Sequence, residues 1–164
     1  MGLISNAAMF ATEAHADQVR KYTGTPYIIH PFEVMEILIL EGYRIDTMLA
    51  AALLHDVVED TPVTQDEIFV TFGPDVSHLV YLLTDTETGN RAERKRQQRE
   101  RLGGSEDALA QTIKCADLIS NAHDIKQYEP KFFKVFQQEG EALLDVMIAA
   151  YPPLRNKAYA ALAC

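Results

Sequence analysis

Apolar residues recur at helical spacing along almost the whole chain, and Gly or Pro interrupts the pattern at short intervals. The spacing predicts a first helix from about Ser5 to Lys21, with Ala7, Phe10, Ala11, Ala14 and Val19 among its apolar positions. Tyr22-Thr23-Gly24-Thr25-Pro26-Tyr27 then reads as a loop. Pro31 suits the first turn of a second helix, which Gly42 stops. Asp46 is placed to cap a third, which runs to Asp60 and is closed by Thr61-Pro62. Thr64-Gln65-Asp66-Glu67 is a capping-box pattern for a short helix to Phe72. Gly73-Pro74 separates that helix from one ending near Leu83, and residues 84–90 read as a polar turn. A basic helix leads to Gly103-Gly104, a candidate mobile link, and Ser105 is placed to cap a long helix to about Ile125. Pro130 opens another to Tyr151, and Pro152-Pro153 breaks it before a short Ala-rich helix. No segment reads as a strand and no internal repeat is present. Short connections between such helices predict a compact all-α fold, with residues 1–164 as a single domain.

No apolar run is long enough to span a bilayer, and the N-terminus lacks a basic stretch followed by an apolar segment. Cytoplasm is the expected compartment, with no membrane partner. Cys115 and Cys164 fit no metal or redox spacing, so both are expected as reduced thiols, with Cys115 in the core. The net charge of −9 argues against a nucleic-acid partner. That charge is uneven. Arg91 to Arg101 holds six basic residues against two acidic ones, a local +4, which leaves −13 for the rest. Such a strip is either a solvated helix face or a surface for phosphates.

The apolar run Ala50-Ala51-Ala52-Leu53-Leu54 passes directly into His55-Asp56-Val57-Val58-Glu59-Asp60. On a continuous helix, His55 and Glu59 share a face, and so do Asp56 and Asp60. Three carboxylates then crowd a helix C-terminus, where partial negative charge already sits. A compensating cation is implied, and a histidine beside an aspartate points to a metal. His30 before Pro31, and Asp117 inside an otherwise apolar helix, extend the set. Each has an ordinary alternative: His30 as a core histidine, Asp117 as the partner of Lys114 one turn back. Two imidazoles and two carboxylates together suit a six-coordinate divalent ion with open water positions. His15, His78 and His123 read as surface or satisfied interior residues.

Four ordered segments resemble the HD-domain alarmone hydrolases, the hydrolase half of RelA/SpoT proteins and their stand-alone relatives. They are Arg20-Lys21-Tyr22-Thr23-Gly24-Thr25-Pro26-Tyr27-Ile28-Ile29-His30-Pro31, the run Ala51 to Thr61, Glu93-Arg94-Lys95-Arg96, and Ile113 to Asn121. The resemblance covers roughly residues 5–128. It implies an HD-domain fold, with His30, His55, Asp56 and Asp117 as metal ligands and manganese as the usual ion. It implies Glu59 and Asp60 as the catalytic acidic pair, Arg20 and Lys21 near the nucleotide, and Asn121 near its sugar. The family cleaves the 3′-pyrophosphate from guanosine tetra- and pentaphosphate, and some stand-alone relatives remove a phosphate from NADPH. The sequence departs at Phe132-Phe133-Lys134-Val135-Phe136-Gln137-Gln138, where the family carries an Arg and a Tyr.

The expected activity is metal-dependent hydrolysis of a small phosphorylated nucleotide, most simply guanosine 3′-diphosphate 5′-diphosphate (ppGpp). Glu59 or Asp60 would orient water and move protons. Arg20, Lys21, Arg91 and Lys95 would neutralise phosphates, although basic residues at a helix C-terminus also serve as simple caps. The alternatives are an NADPH phosphatase, another HD-type nucleotide phosphohydrolase, and a non-catalytic metal-containing module that senses a nucleotide.

Overall fold

The computed structural model describes residues 2–163, which divide after Thr84 into two compact units. Among them there is no strand, only an isolated antiparallel bridge between Val19 and Pro26. The all-α expectation therefore holds.

The first unit is built round one helix that is buried on every side from Met48 to its end. It comprises α1 (Leu3–Ala14), α2 (Ile29–Leu40), α3 (Asp46–Leu54), α4 (Val57–Asp60) and α5 (Gln65–Leu83). Every residue from Met48 to Leu54 is buried, and α3 packs against α1, α2 and α5. A helix apolar all round has no solvent face, which is why α3 sits at the centre. Asp46 does not cap α3 through its side chain; Ile45 is the N-cap, and Asp46 sits in the first turn, where negative charge is favoured. The capping box at Thr64 and Glu67 forms as expected, and Gly73 (φ 84°) breaks α5 where Gly-Pro marked a boundary.

Two expectations fail in this unit. The first helix stops at Ala14 rather than reaching Lys21. Beyond it, Arg20 N donates to Thr25 O (2.7 Å) and Tyr27 N to Gln18 O (2.9 Å), so the backbone is satisfied across a tight loop instead. Val19, read as one of that helix's apolar positions, is 63% exposed. The third helix also does not run unbroken to Asp60. It ends at Leu54, His55 and Asp56 form a turn, and α4 restarts at Val57. Glu59 and Asp60 therefore close a separate four-residue helix that restarts after the turn, rather than the end of α3.

The second unit comprises α6 (Arg91–Ser105), α7 (Ala108–Tyr128), α8 (Pro130–Val146) and α9 (Pro152–Leu162). The long helix α7 packs against α8 and α9, and α6 packs against α8. Gly103-Gly104 is not a link: α6 continues through both. A Cβ on Gly103 would lie 2.9 Å from Val146 Cβ, so glycine is what lets α6 and α8 approach there. Ser105 ends α6, and Asp107 caps α7 by accepting from Ala110 N. α8 ends at Val146, and Pro152-Pro153 start α9 rather than only breaking what precedes. Gln111 joins these pieces: Nε2 donates to Leu102 O (2.8 Å), and Oε1 accepts from Ala149 N and Ala150 N (2.9 and 3.0 Å). Cys115 is buried and free, its thiol pushed up to about 12 by that burial. Cys164 lies outside the described residues. No described helix is long and apolar enough to cross a membrane.

Candidate functional site

In the first unit, α2 and the α3–α4 turn bring three side chains together. His30 lies in the first turn of α2, with its N–H donating to Tyr27 O (2.9 Å), and it is buried. His55 follows the last residue of α3 and is also buried. Its Nδ1 lies 2.8 Å from Ala52 O. A carbonyl can only accept, so Nδ1 carries the proton and Nε2 is the nitrogen turned toward the other two side chains. That Nε2 is 3.0 Å from Asp56 Oδ2, and His30 Nε2 is 3.6 Å from the same oxygen. One ligand atom from each of His30, His55 and Asp56 falls within 4.8 Å of the others. Tyr27 donates its hydroxyl to Asp56 Oδ2 (2.7 Å). Two imidazole nitrogens and a carboxylate, steadied by a carbonyl and a phenol behind them, fit a divalent ion.

The acidic pair follows immediately. Glu59 and Asp60 both keep exposed edges. Desolvation of part of the Asp60 carboxyl, then the charge of Asp56, raise its pKa, against the hydrogen bond from Tyr27 and the charges of His15 and His55. Arg20 is buried, with Nη2 4.0 Å from Glu33 Oε2. Lys21 is exposed, its Nζ 4.9 Å above the Tyr22 ring.

The other candidates lie in the second unit, around a cavity of about 290 Å³. Three helices contribute one face each. Arg91, Lys95 and Gln98 come from α6; Lys114, Asp117, Leu118, Asn121 and Ile125 from α7; Phe132, Phe136, Glu139, Gly140 and Leu143 from α8. Asp117 realises the ordinary pairing expected of it, with Lys114 Nζ 2.7 Å from Oδ2, while Asn121 Nδ2 donates to Oδ1 (2.6 Å). The structure thus gathers three of the four expected ligands in one cluster and places Asp117 in the cavity wall.

The basic strip of α6 divides. Arg96 pairs with Glu93 and Glu100 on the surface, and Arg101 pairs with Asp85 and Glu87. Those residues follow the solvated-face reading or hold the fold. Arg91 and Lys95 face the cavity. Arg91 is already engaged: Nε and Nη2 donate to Glu139 (2.7 and 2.6 Å), and its guanidinium lies 4.9 Å over the Phe132 ring. Burial pushes the Lys95 amine down, as does Lys114, while Asp85 and Glu139 oppose them.

Comparison with known proteins decides the family. A profile described as "HD domain" matches residues 7–149. The chain is 46% identical over 131 residues to a Xenopus tropicalis protein named guanosine-3′,5′-bis(diphosphate) 3′-pyrophosphohydrolase MESH1, covering 79% of this chain and 73% of that one. The chain belongs to the HD-domain alarmone hydrolase family. The human protein of the same name is 44% identical, over 76% of this chain and 70% of its own length. A solved structure described as a metazoan orthologue of SpoT that hydrolyses ppGpp has a TM-score of 0.90, at 30% identity, over 98% of this chain and 94% of that one.

Within this member of the alarmone hydrolase family, sequence reasoning overlooked several residues. Tyr27 closes the loop in the first of the four quoted segments, but nothing in its spacing shows that its hydroxyl meets Asp56. Lys114, Phe132, Phe136 and Glu139 line the cavity. Helical spacing offered a signal there, since Phe132, Phe136 and Gly140 share a face of α8. Lys134, the one cation in the stretch 132–138 that departs from the family, is exposed and does not line it. Of the two alternatives read for the remaining histidines, His78 and His123 take the surface one and His15 the interior one.

Proposed function

We propose that this chain, working as a single HD-type domain, hydrolyses ppGpp to GDP and pyrophosphate with a divalent ion, manganese for preference. The observation that carries this reading is the His30–His55–Asp56 cluster with the Nδ1-protonated His55, followed within one turn by Glu59 and Asp60. The names borne by relatives at 41–46% identity support the substrate.

His30, His55 and Asp56 would hold the ion, with Asp117 as the fourth ligand on the strength of its motif. When bound, such an ion lowers the pKa of coordinated water and offsets charge on the phosphoryl oxygens. Glu59 and Asp60 orient the attacking water and take its proton. Water adds to the phosphorus joined to O3′, the P–O3′ bond breaks, and O3′ is protonated. Lys95, Arg91, Arg20 and Lys21 neutralise phosphate charge, and Asn121 contacts the sugar. The net charge of −9 supports a small-molecule partner rather than nucleic acid, and we place the activity in the cytoplasm.

One observation favours a second reading. The Arg91–Glu139 pair occupies a cation that would otherwise meet a far phosphate, which suits a single terminal phosphate such as the 2′-phosphate of NADPH. Product analysis separates the two. Pyrophosphate with GDP supports the first; inorganic phosphate with NADH supports the second. Neither product from manganese-loaded protein would remove both and leave another HD-type nucleotide phosphohydrolase or the metal-containing sensing module.

A further inference from the structure

We propose that His15 and Gln18 are positioning residues that hold the turn carrying Glu59 and Asp60. The inference rests on the catalytic role proposed for that acidic pair. His15 is 2% exposed and lies just past the end of α1. Its Nδ1 is 2.7 Å from Gln18 Oε1, and Gln18 Nε2 is 2.5 Å from the backbone oxygen of Asp60. The direction of this chain follows from what each atom can do. Asp60 O only accepts, so the Gln18 amide must turn Nε2 toward it. Oε1 then faces His15 and also only accepts, so Nδ1 of His15 carries the proton.

The result is a directed relay, from imidazole to amide to carbonyl. Asp60 is tied at both backbone groups, since its N–H donates to Asp56 O (2.9 Å) while its carbonyl accepts from Gln18. The His15 ring also packs on Tyr27, with centroids 4.9 Å apart, and the Tyr27 hydroxyl donates to Asp56. One histidine thus braces the acidic turn through an amide and the ligand turn through a phenol. Its Nε2 is buried without a hydrogen-bond partner among the described residues. A phenyl ring of similar shape would fill the space and avoid that unsatisfied nitrogen. The polar ring is therefore explained by what Nδ1 does.

The test uses the full-length, manganese-loaded protein with ppGpp, plus the metal-free protein by NMR. Gln18 is only part-buried, so Gln18→Leu should fold even where His15→Phe does not. Either variant should lower kcat about tenfold or more, with KM and manganese affinity unchanged. Because both act through one relay, the double variant should be no worse than the poorer single one. His15→Asn, whose amide can donate from near the Nδ1 position, should recover most of the loss. Long-range proton–nitrogen spectra should show His15 as the Nδ1-protonated tautomer, and Gln18→Leu should perturb it. Losses that multiply in the double variant, a lowered Tm with unchanged kcat, or an Nε2-protonated His15 would overturn the proposal. Glu59→Gln serves as the control. If it retains wild-type kcat, the catalytic reading fails; if it loses activity while Gln18→Leu does not, only the positioning role fails.

Discussion

The two units carry chemistry in different ways. In the first, His30, His55, Asp56, Glu59 and Asp60 come from two short stretches of sequence, and the ligand atoms converge within a few ångströms. In the second, charge and aromatic surface are spread over one face of each of three helices around an open cavity. The first arrangement is compact enough to suit a small ion. The second offers cations, an amide and rings over nucleotide-sized surfaces. Chemistry that depends on exact atom placement sits on adjacent residues, whereas recognition that tolerates variation is distributed.

The largest effect should test whether Asp117 belongs with the first arrangement or the second. Asp56→Ala should abolish metal retention and lower kcat/KM by at least about a thousandfold. If Asp117→Ala matches it in metal content measured by elemental mass spectrometry, Asp117 is a ligand. If it keeps the metal and instead raises KM, it is a cavity residue, and its bonds with Lys114 and Asn121 are its role.

Glu59→Gln comes next. A fall in kcat of about 10²–10⁴-fold with metal still bound is expected of a group that moves protons. An unchanged kcat at full metal occupancy would confine the first unit to metal binding alone.

The cavity should respond more gently. Arg91→Ala or Lys95→Ala should raise KM about tenfold or more, since a charge-assisted contact is worth about 1.5–3 kcal/mol. Glu139→Gln should lower KM by releasing Arg91 from its carboxylate partner. A rise in KM for Glu139→Gln would show that the pair itself shapes the cavity.

The smallest effect lies on the outer face of α6. Arg96 holds the Glu93 carboxyl at about 2, against an ordinary 4.5, with Gln97 adding a hydrogen bond. A depressed carboxylate stabilises the fold above its unfolded pKa, and that contribution is lost as pH falls through about 2. The pair is fully solvated, so the effect is slight. Urea unfolding should show a small advantage of wild type over Glu93→Gln at pH 6 that disappears near pH 2. A constant difference would assign it to something other than the charge.

What sequence could reveal follows the same division. The capping box at Thr64 and the break at Gly73-Pro74 are set by neighbours within a few residues, so local pattern exposes them, whereas the turn at His55-Asp56 interrupts a run whose pattern reads as one continuous helix. The stop at Ala14 depends on loop hydrogen bonds between Gln18 and Tyr27 and between Arg20 and Thr25, which helical periodicity does not register. Gly103 reads as a hinge until Val146 is set beside it. Arg91 reads as an open cation until Glu139, 48 residues on, is found holding it. Asp117 carried two readings, and only the pairing with Lys114 was visible in its own helix.

Gln111 has a consequence for anyone altering this protein. Its amide accepts two backbone N–H groups beyond α8 and donates to the carbonyl of Leu102. That connection looks like a loop suited to a peptide tag or a permuted terminus, but it is pinned. Glutamate at 111 could not donate to Leu102, and leucine would strand both amides. The turn at Gly42 (φ 89°) between α2 and α3 is exposed, and the bonds that Arg44 donates there, to Ile39 O and Tyr43 O, reach only a few residues along the chain rather than to another helix, so it is the better place to open the chain.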